Sequence, residues 1–131
     1  YADIGGFTDN ELDGAYAVAC NYTEAGQTLE ALQITGYLMM LDPYKSRYYQ
    51  LVGISMQRIK QYTVAEEYYR MALALDKEDV MTMIYRGECK IMLGLIDEGV
   101  KIIQQGIEIA QNDPKHQAVL QRGKALLKQF A

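Results

Sequence analysis

A 34-residue period runs three times through this 131-residue chain without an insertion. With units at residues 12–45, 46–79 and 80–113, the eighth position reads Ala19, Gly53 and Gly87, and the twentieth reads Ala31, Ala65 and Gly99. The twenty-seventh reads Leu38, Ala72 and Gly106, and the thirtieth Leu41, Leu75 and Ile109. Small residues recur where two helices must cross closely, and branched apolar residues where the space between them must be filled. A unit of this length cannot bury its apolar face alone, so copies stack and share one core. The period therefore restricts the chain to a solenoid, whose concave side is the natural place for a partner.

Each unit reads as two helices. Thr8-Asp9-Asn10-Glu11 forms a capping box ahead of the first, with Gly5-Gly6 as a flexible lead-in. That helix is expected to reach about Ala25. Gly26 provides the permissive turn backbone, and Pro43 stops the second helix after Leu41. The middle unit presents Tyr49, Val52, Gly53 and Met56, then Tyr62, Ala65, Tyr69, Ala72 and Leu75, at helical spacing. The third presents Met83, Gly87, Ile96, Ile103 and Ile109, with Gly99 and Gly106 costing about 1 kcal/mol each as helix interior residues. Pro114 opens a final helix whose apolar positions are Val119, Leu120, Leu126, Leu127 and Phe130. The pattern is similar to the tetratricopeptide repeat. It predicts one all-α domain over residues 1–131: a superhelix of three helix-turn-helix repeats plus a capping helix at 114–131.

No run of 18 apolar residues occurs, so membrane insertion is not expected. The net charge of −4 argues against nucleic acid as partner. Charge is lopsided: residues 1–45 carry seven acids against Lys45 alone, while 114–131 carry Lys115, Arg122, Lys124 and Lys128 and no acid. Two solvated faces would give this, and so would head-to-tail attraction or an acidic partner. Cys20 and Cys89 lie two repeat steps apart, too far for a bridge, and as free thiols they suit a reducing cytoplasm. His116 has no nucleophile at a recognisable spacing, and Asp76, Glu78 and Asp79 lack the loop glycine of a calcium site and read as a solvated turn. With no phosphate-loop or dinucleotide fingerprint either, no catalysis, cofactor or metal is expected. The chain begins at Tyr1 rather than Met, so an upstream segment is expected.

The groove is then the candidate site. In such repeats, positions 2, 5, 9, 12 and 13 of each first helix face the concave side. They read Asp13, Tyr16, Cys20, Thr23 and Glu24; Arg47, Gln50, Ile54, Gln57 and Arg58; Met81, Ile84, Glu88, Ile91 and Met92. Tyr16, Cys20, Ile54, Met81, Ile84, Ile91 and Met92 make an apolar strip, which marks a partner surface unless the chain covers it itself. A carboxylate clamp is not expected, because Tyr16, Cys20, Ile54 and Ile84 take the surface that Lys, Arg and Asn would need.

Leu41-Asp42-Pro43-Tyr44-Lys45-Ser46-Arg47-Tyr48-Tyr49, followed by Gly53, resembles the segment entering the second repeat of class II chaperones of bacterial type III secretion. Gln57 with Tyr62, Ala65, Tyr68 and Tyr69, and Glu88-Cys89 with Gly94, also match, as do Tyr16, Ala19, Asn21 and Gly26. Cys20 and Thr23 depart from the family, which often has aromatic residues there. The resemblance implies a bacterial cytoplasmic chaperone that holds an extended apolar segment of hydrophobic translocator proteins before secretion. It also admits a homodimer. The groove residues it points to are Tyr16, Cys20, Arg47, Ile54, Met81, Ile84, Glu88 and Met92. The alternatives are a generic repeat interaction module, a needle-subunit chaperone holding a helical partner, or a repeat fragment of a larger protein.

Overall fold

The computed structural model describes residues 3–4, 6–111 and 113–131. Among them seven α-helices follow one another: α1 (Asp9–Glu24), α2 (Thr28–Leu41), α3 (Ser46–Arg58), α4 (Tyr62–Leu75), α5 (Val80–Met92), α6 (Ile96–Ala110) and α7 (Gln117–Phe130). Helices α2, α4 and α6 start at 34-residue intervals, and so do α3 and α5. The turn inside each pair needs one left-handed residue, and these too are 34 apart: Gly26, Lys60 and Gly94, with φ of 77°, 63° and 85°. Each first helix packs on its own second helix and on the next pair. The fold is thus the all-α tetratricopeptide superhelix that the period predicts.

The capping box is formed, with Glu11 N–H donating to Thr8 Oγ1 at 3.2 Å and Thr8 N–H to Glu11 Oε1 at 3.1 Å. Just upstream, two-residue strands β1 (Asp3–Ile4) and β2 (Phe7–Thr8) pair antiparallel around Gly6 at φ 86°, so this lead-in is a tight hairpin turn; Gly5 lies outside the described residues. At the other end, Pro114 opens a single 3-10 turn (Pro114–His116), and the α-helix proper starts only at Gln117.

Positions 8, 20 and 27 are the helix crossings. Ala19, Ala31, Ala65 and Ala72 are fully buried, and a β-carbon on Gly87 or Gly99 would run into the facing backbone. Position 30 does not fill the core as expected: Leu75 is 42% exposed and Ile109 51%. The buried stripe of α6 runs through Gly99, Ile103, Gly106 and Ala110, steps of four, three and four, and leaves Ile109 beside it. The acidic turn also differs from the reading as a solvated loop. Asp79 caps α5, accepting from Thr82 N–H at 3.2 Å and Thr82 Oγ1 at 2.7 Å, and it takes Gln50 Nε2 at 3.0 Å from the preceding repeat.

Helix α7 lies against α5 and α6, where the first helix of a fourth unit would lie. Its Arg122 is 34 residues beyond Glu88 and pairs with it at 2.6 Å, just as Arg47 pairs with Asp13, also 34 residues back. The eighth position of that fourth unit is Gln121, large and exposed, since no second helix crosses it.

Candidate partner groove

The first helices bring Ile54, Gln57 and Arg58 of α3 beside Glu88 and Met92 of α5. Together with Tyr62 and Tyr69 of α4, Tyr85 of α5 and Arg122 of α7 they surround a cavity of about 340 Å³. Its walls mix aromatic and aliphatic side chains with the amide and charged groups of Gln57, Arg58, Glu88 and Arg122. Tyr69 and Tyr85 meet with ring centroids 6.0 Å apart, and the Arg122 guanidinium sits 5.1 Å from the Tyr85 centroid. A chain of hydrogen bonds crosses the floor: Tyr69 Oη donates to Gln57 Oε1 at 2.7 Å, Gln57 Nε2 donates to Glu88 Oε1 at 2.8 Å, and Arg122 Nη2 donates to the same oxygen at 2.6 Å. Four helices are tied together there.

Of the residues expected on the concave face, Ile54, Gln57, Arg58, Glu88 and Met92 come together in this cavity. Tyr16, Cys20 and Arg47 form a separate cluster toward the first repeat. The Arg47 guanidinium lies 4.4 Å from the Tyr16 ring centroid and is paired with Asp13, and the Tyr16 and Tyr48 rings meet at 5.8 Å. Burial, then the neighbouring Cys20, raises the Tyr16 phenol above its ordinary range. Met81 is half-buried.

Ile84 is not a groove residue. It is fully buried, its Cδ1 set 3.1 Å from where a Gly106 β-carbon would stand and 2.9 Å from where a Gly123 β-carbon would. Gln50, Thr23 and Ile91 are buried too. The physical reason for Thr23, Gln50 and Ile84 is that each is turned toward the next first helix, whereas Gln57, also at position 12, lines the cavity. Thr23 and Ser55 hydroxyls bond at 3.0 Å, Gln50 Nε2 reaches Thr82 Oγ1 at 2.7 Å, and Ile84 meets α7. What the period alone did not place were Tyr62, Tyr69, Tyr85 and Arg122. The three tyrosines lie off the first-helix positions that such a repeat assigns to its concave face, while Arg122 holds the ninth such position in the capping helix, to which the three-repeat reading did not extend. The Tyr62–Tyr69 spacing, already legible as a helical stripe, was the available signal.

A second, apolar cleft of about 520 Å³ lies between α2 and α4 over α3, bordered by Leu32, Met39, Met40, Val52, Met56 and Tyr68.

Cys89 is fully buried behind the groove, and burial, then the Glu88 and Glu66 charges, push its thiol up to about 12 from 9.0. Burial likewise raises Tyr69 above the ordinary phenol range. For an acid whose folded pKa is raised, the unfolded chain releases its proton first. The stability is whole below pH 9 and falls as pH rises from 9 toward 12. Melting temperature is therefore expected to drop progressively above pH 9, and more gently in Cys89→Ala. A Cys89→Ala profile as steep as the wild type would remove this thiol from the explanation.

No family model matches the chain. The chaperone protein SicA of Salmonella typhimurium is 28% identical over 91 residues, which is 70% of this chain and 55% of SicA. The chain thus spans little more than half the length of that curated relative. Among solved structures, the type III secretion translocator chaperone SycD of Yersinia enterocolitica shares the fold, with TM-score 0.88 and 23% identity over 94% of this chain and 93% of that one. PcrH of Pseudomonas aeruginosa has been solved in complex with the chaperone binding regions of PopB and of PopD, and the PopD complex superposes with TM-score 0.87 and 27% identity over 95% and 94% of the two chains. In sequence and in fold alike, this chain is similar to the translocator chaperones of type III secretion.

Proposed function

We propose that this protein is a holding chaperone, not an enzyme, which binds an extended apolar segment of a secreted translocator protein in the groove between α3, α5 and α7. The observation that carries this is the cavity itself. Tyr62, Tyr85, Ile54 and Met92 offer apolar contact over the buried Tyr69, ringed by Arg58, Arg122 and Glu88, in a chain similar to PcrH, whose solved complex contains a chaperone binding region. Burying an apolar side chain there contributes about 1.5–3 kcal/mol, and Met adapts to differing side chains. Such binding needs no nucleotide: it stabilises the client by mass action while free chaperone is in excess. The bacterial cytoplasm, where a client waits before secretion, is the compartment this role requires. No helix among the described residues is long and apolar enough to cross a membrane.

Of the groove residues named from the sequence, Ile54, Glu88 and Met92 form the main contact surface. Tyr16, Cys20 and Arg47 extend it toward the first repeat, and Met81 adds a half-buried apolar side chain at the start of α5. Met92 is 53% exposed, so an added charge there costs the free protein little, but facing an apolar client residue it is left without a partner. The double variant Ile54→Asp, Met92→Asp is expected to keep its helical circular dichroism and lose at least about 10-fold in affinity for PopB or PopD chaperone-binding peptides. Unchanged affinity in calorimetric titration would move the client site away from this groove.

A further inference from the structure

We infer that Glu88 reads the main chain of the bound segment: its second carboxylate oxygen, Oε2, accepts a peptide N–H from an extended chain lying in the groove. The inference rests on the groove reading above and assigns one residue in it a specific task.

The asymmetry of this carboxylate is the starting observation. Three N–H groups converge on Oε1: Gln57 Nε2 at 2.8 Å, Arg122 Nη2 at 2.6 Å and Arg122 Nε at 3.2 Å. Oε2 accepts from none of the described residues. It is also not among the buried polar atoms that lack a partner, which are Arg47 Nε and Tyr48 Oη. Glu88 borders the cavity with its side chain 17% exposed, so the unused oxygen is reachable from there. A carboxylate can accept about four hydrogen bonds, and its bonds to N–H are roughly twice as strong as neutral ones.

The surroundings select the donor. A partner lysine or arginine would approach the Arg122 guanidinium already bound to this carboxylate, with Arg58 lining the same cavity. A partner carboxylate would meet Glu88 itself. A neutral N–H suffers neither repulsion, and the main chain is the one donor that an apolar segment always carries. An extended chain turns successive N–H groups to opposite sides, so one can meet Oε2 while the neighbouring side chain enters the tyrosine-lined cavity. The carboxylate is already held from two sides, by Gln57 (itself held by Tyr69 Oη) and by Arg122 of α7. Binding therefore freezes no long side chain. On this account α7 serves recognition as well as covering the stack.

The test uses synthetic PopB and PopD chaperone-binding peptides, N-methylated at one backbone nitrogen at a time, titrated into the full chain. Methylation at one position is expected to weaken binding to the wild type about 10-fold or more and to add little in Glu88→Ala. Glu88→Gln, which preserves shape, is expected to show the same loss of coupling, with melting curves confirming that both variants fold. A flat methylation scan on the wild type, with Ile54→Asp, Met92→Asp still abolishing binding, would overturn the role of Glu88 and leave the groove standing. A sensitive nitrogen whose penalty persists undiminished in Glu88→Ala would place its acceptor elsewhere and overturn it too. No binding of any peptide to the wild type would overturn the groove reading, and this inference with it.

Discussion

Gly87→Leu is expected to break the third helix pair, costing ~3 kcal/mol or more by overpacking. A β-carbon at Gly87 would come within 2.5 Å of Ile103 Cγ1 and 2.9 Å of the Gly99 carbonyl oxygen. The reverse approach is as tight, with a Gly99 β-carbon 2.6 Å from the Gly87 carbonyl oxygen. Here α5 and α6 touch backbone to backbone, and backbone cannot step aside as a flexible side chain can. Gly53 makes the equivalent crossing in the middle pair, where a β-carbon would lie 2.4 Å from Tyr69 Cε1, so Gly53→Leu is expected to destabilise as well. The tyrosine ring is the obstacle there, and it leaves slightly more room for adjustment. The control is Gly36, inside α2 with nothing within 4 Å of its would-be β-carbon. Gly36→Ala is expected to gain about 0.5–1 kcal/mol from helix propensity. Thermal or urea melts decide: a Gly87→Leu protein as stable as the wild type would mean that the two backbones do not meet there.

Ile84→Asp is expected to unfold the C-terminal half and not to leave a folded protein with a defective groove. The side chain is fully buried in the cluster of Val80, Ile91, Ile103, Ala110 and Leu120. Losing its methyl groups alone costs about 2–5 kcal/mol, and the carboxyl then has no water and no cation for partner. Typical domain stability is about 5–15 kcal/mol, so this one change removes a large part of it. Loss of cooperative melting is the expected readout. It should contrast with Met92→Asp, only eight positions along the same helix, whose melting should remain close to the wild type. Normal stability of Ile84→Asp would return this residue to the groove and disprove its place in the core.

Repeat length, crossing points and the start of the first helix were legible in one sequence, because each rests on local periodicity, capping residues or residue volume. Gly53, Gly87 and Gly99 sit where the 34-residue register says that helices must cross, and there the absence of a β-carbon is required. The Thr8–Glu11 capping box is likewise a matter of four neighbouring residues. The groove was only partly legible. Ile54, Gln57, Glu88 and Met92 follow from first-helix positions and Arg122 from the matching position of the capping helix, while Tyr62, Tyr69 and Tyr85 come from other positions and are brought in by stacking.

The sequence by itself therefore determined the architecture, since a strict period of small and branched residues admits one way of burying its apolar faces. Only the tertiary structure decided which side of each first helix remained open. Thr23, Gln50 and Ile84 look like groove residues on an isolated helix, but each repeat is rotated on the one before it. This rotation presses Gln50 against Thr82, Thr23 against Ser55 and Ile84 against Gly123. The angle arises from the summed packing of all the helices, not from any local run of residues. For the same reason no stretch of sequence announces the Gln57–Glu88–Arg122 contact, whose three side chains come from α3, α5 and α7, three helices successive in the stack but far apart in the chain.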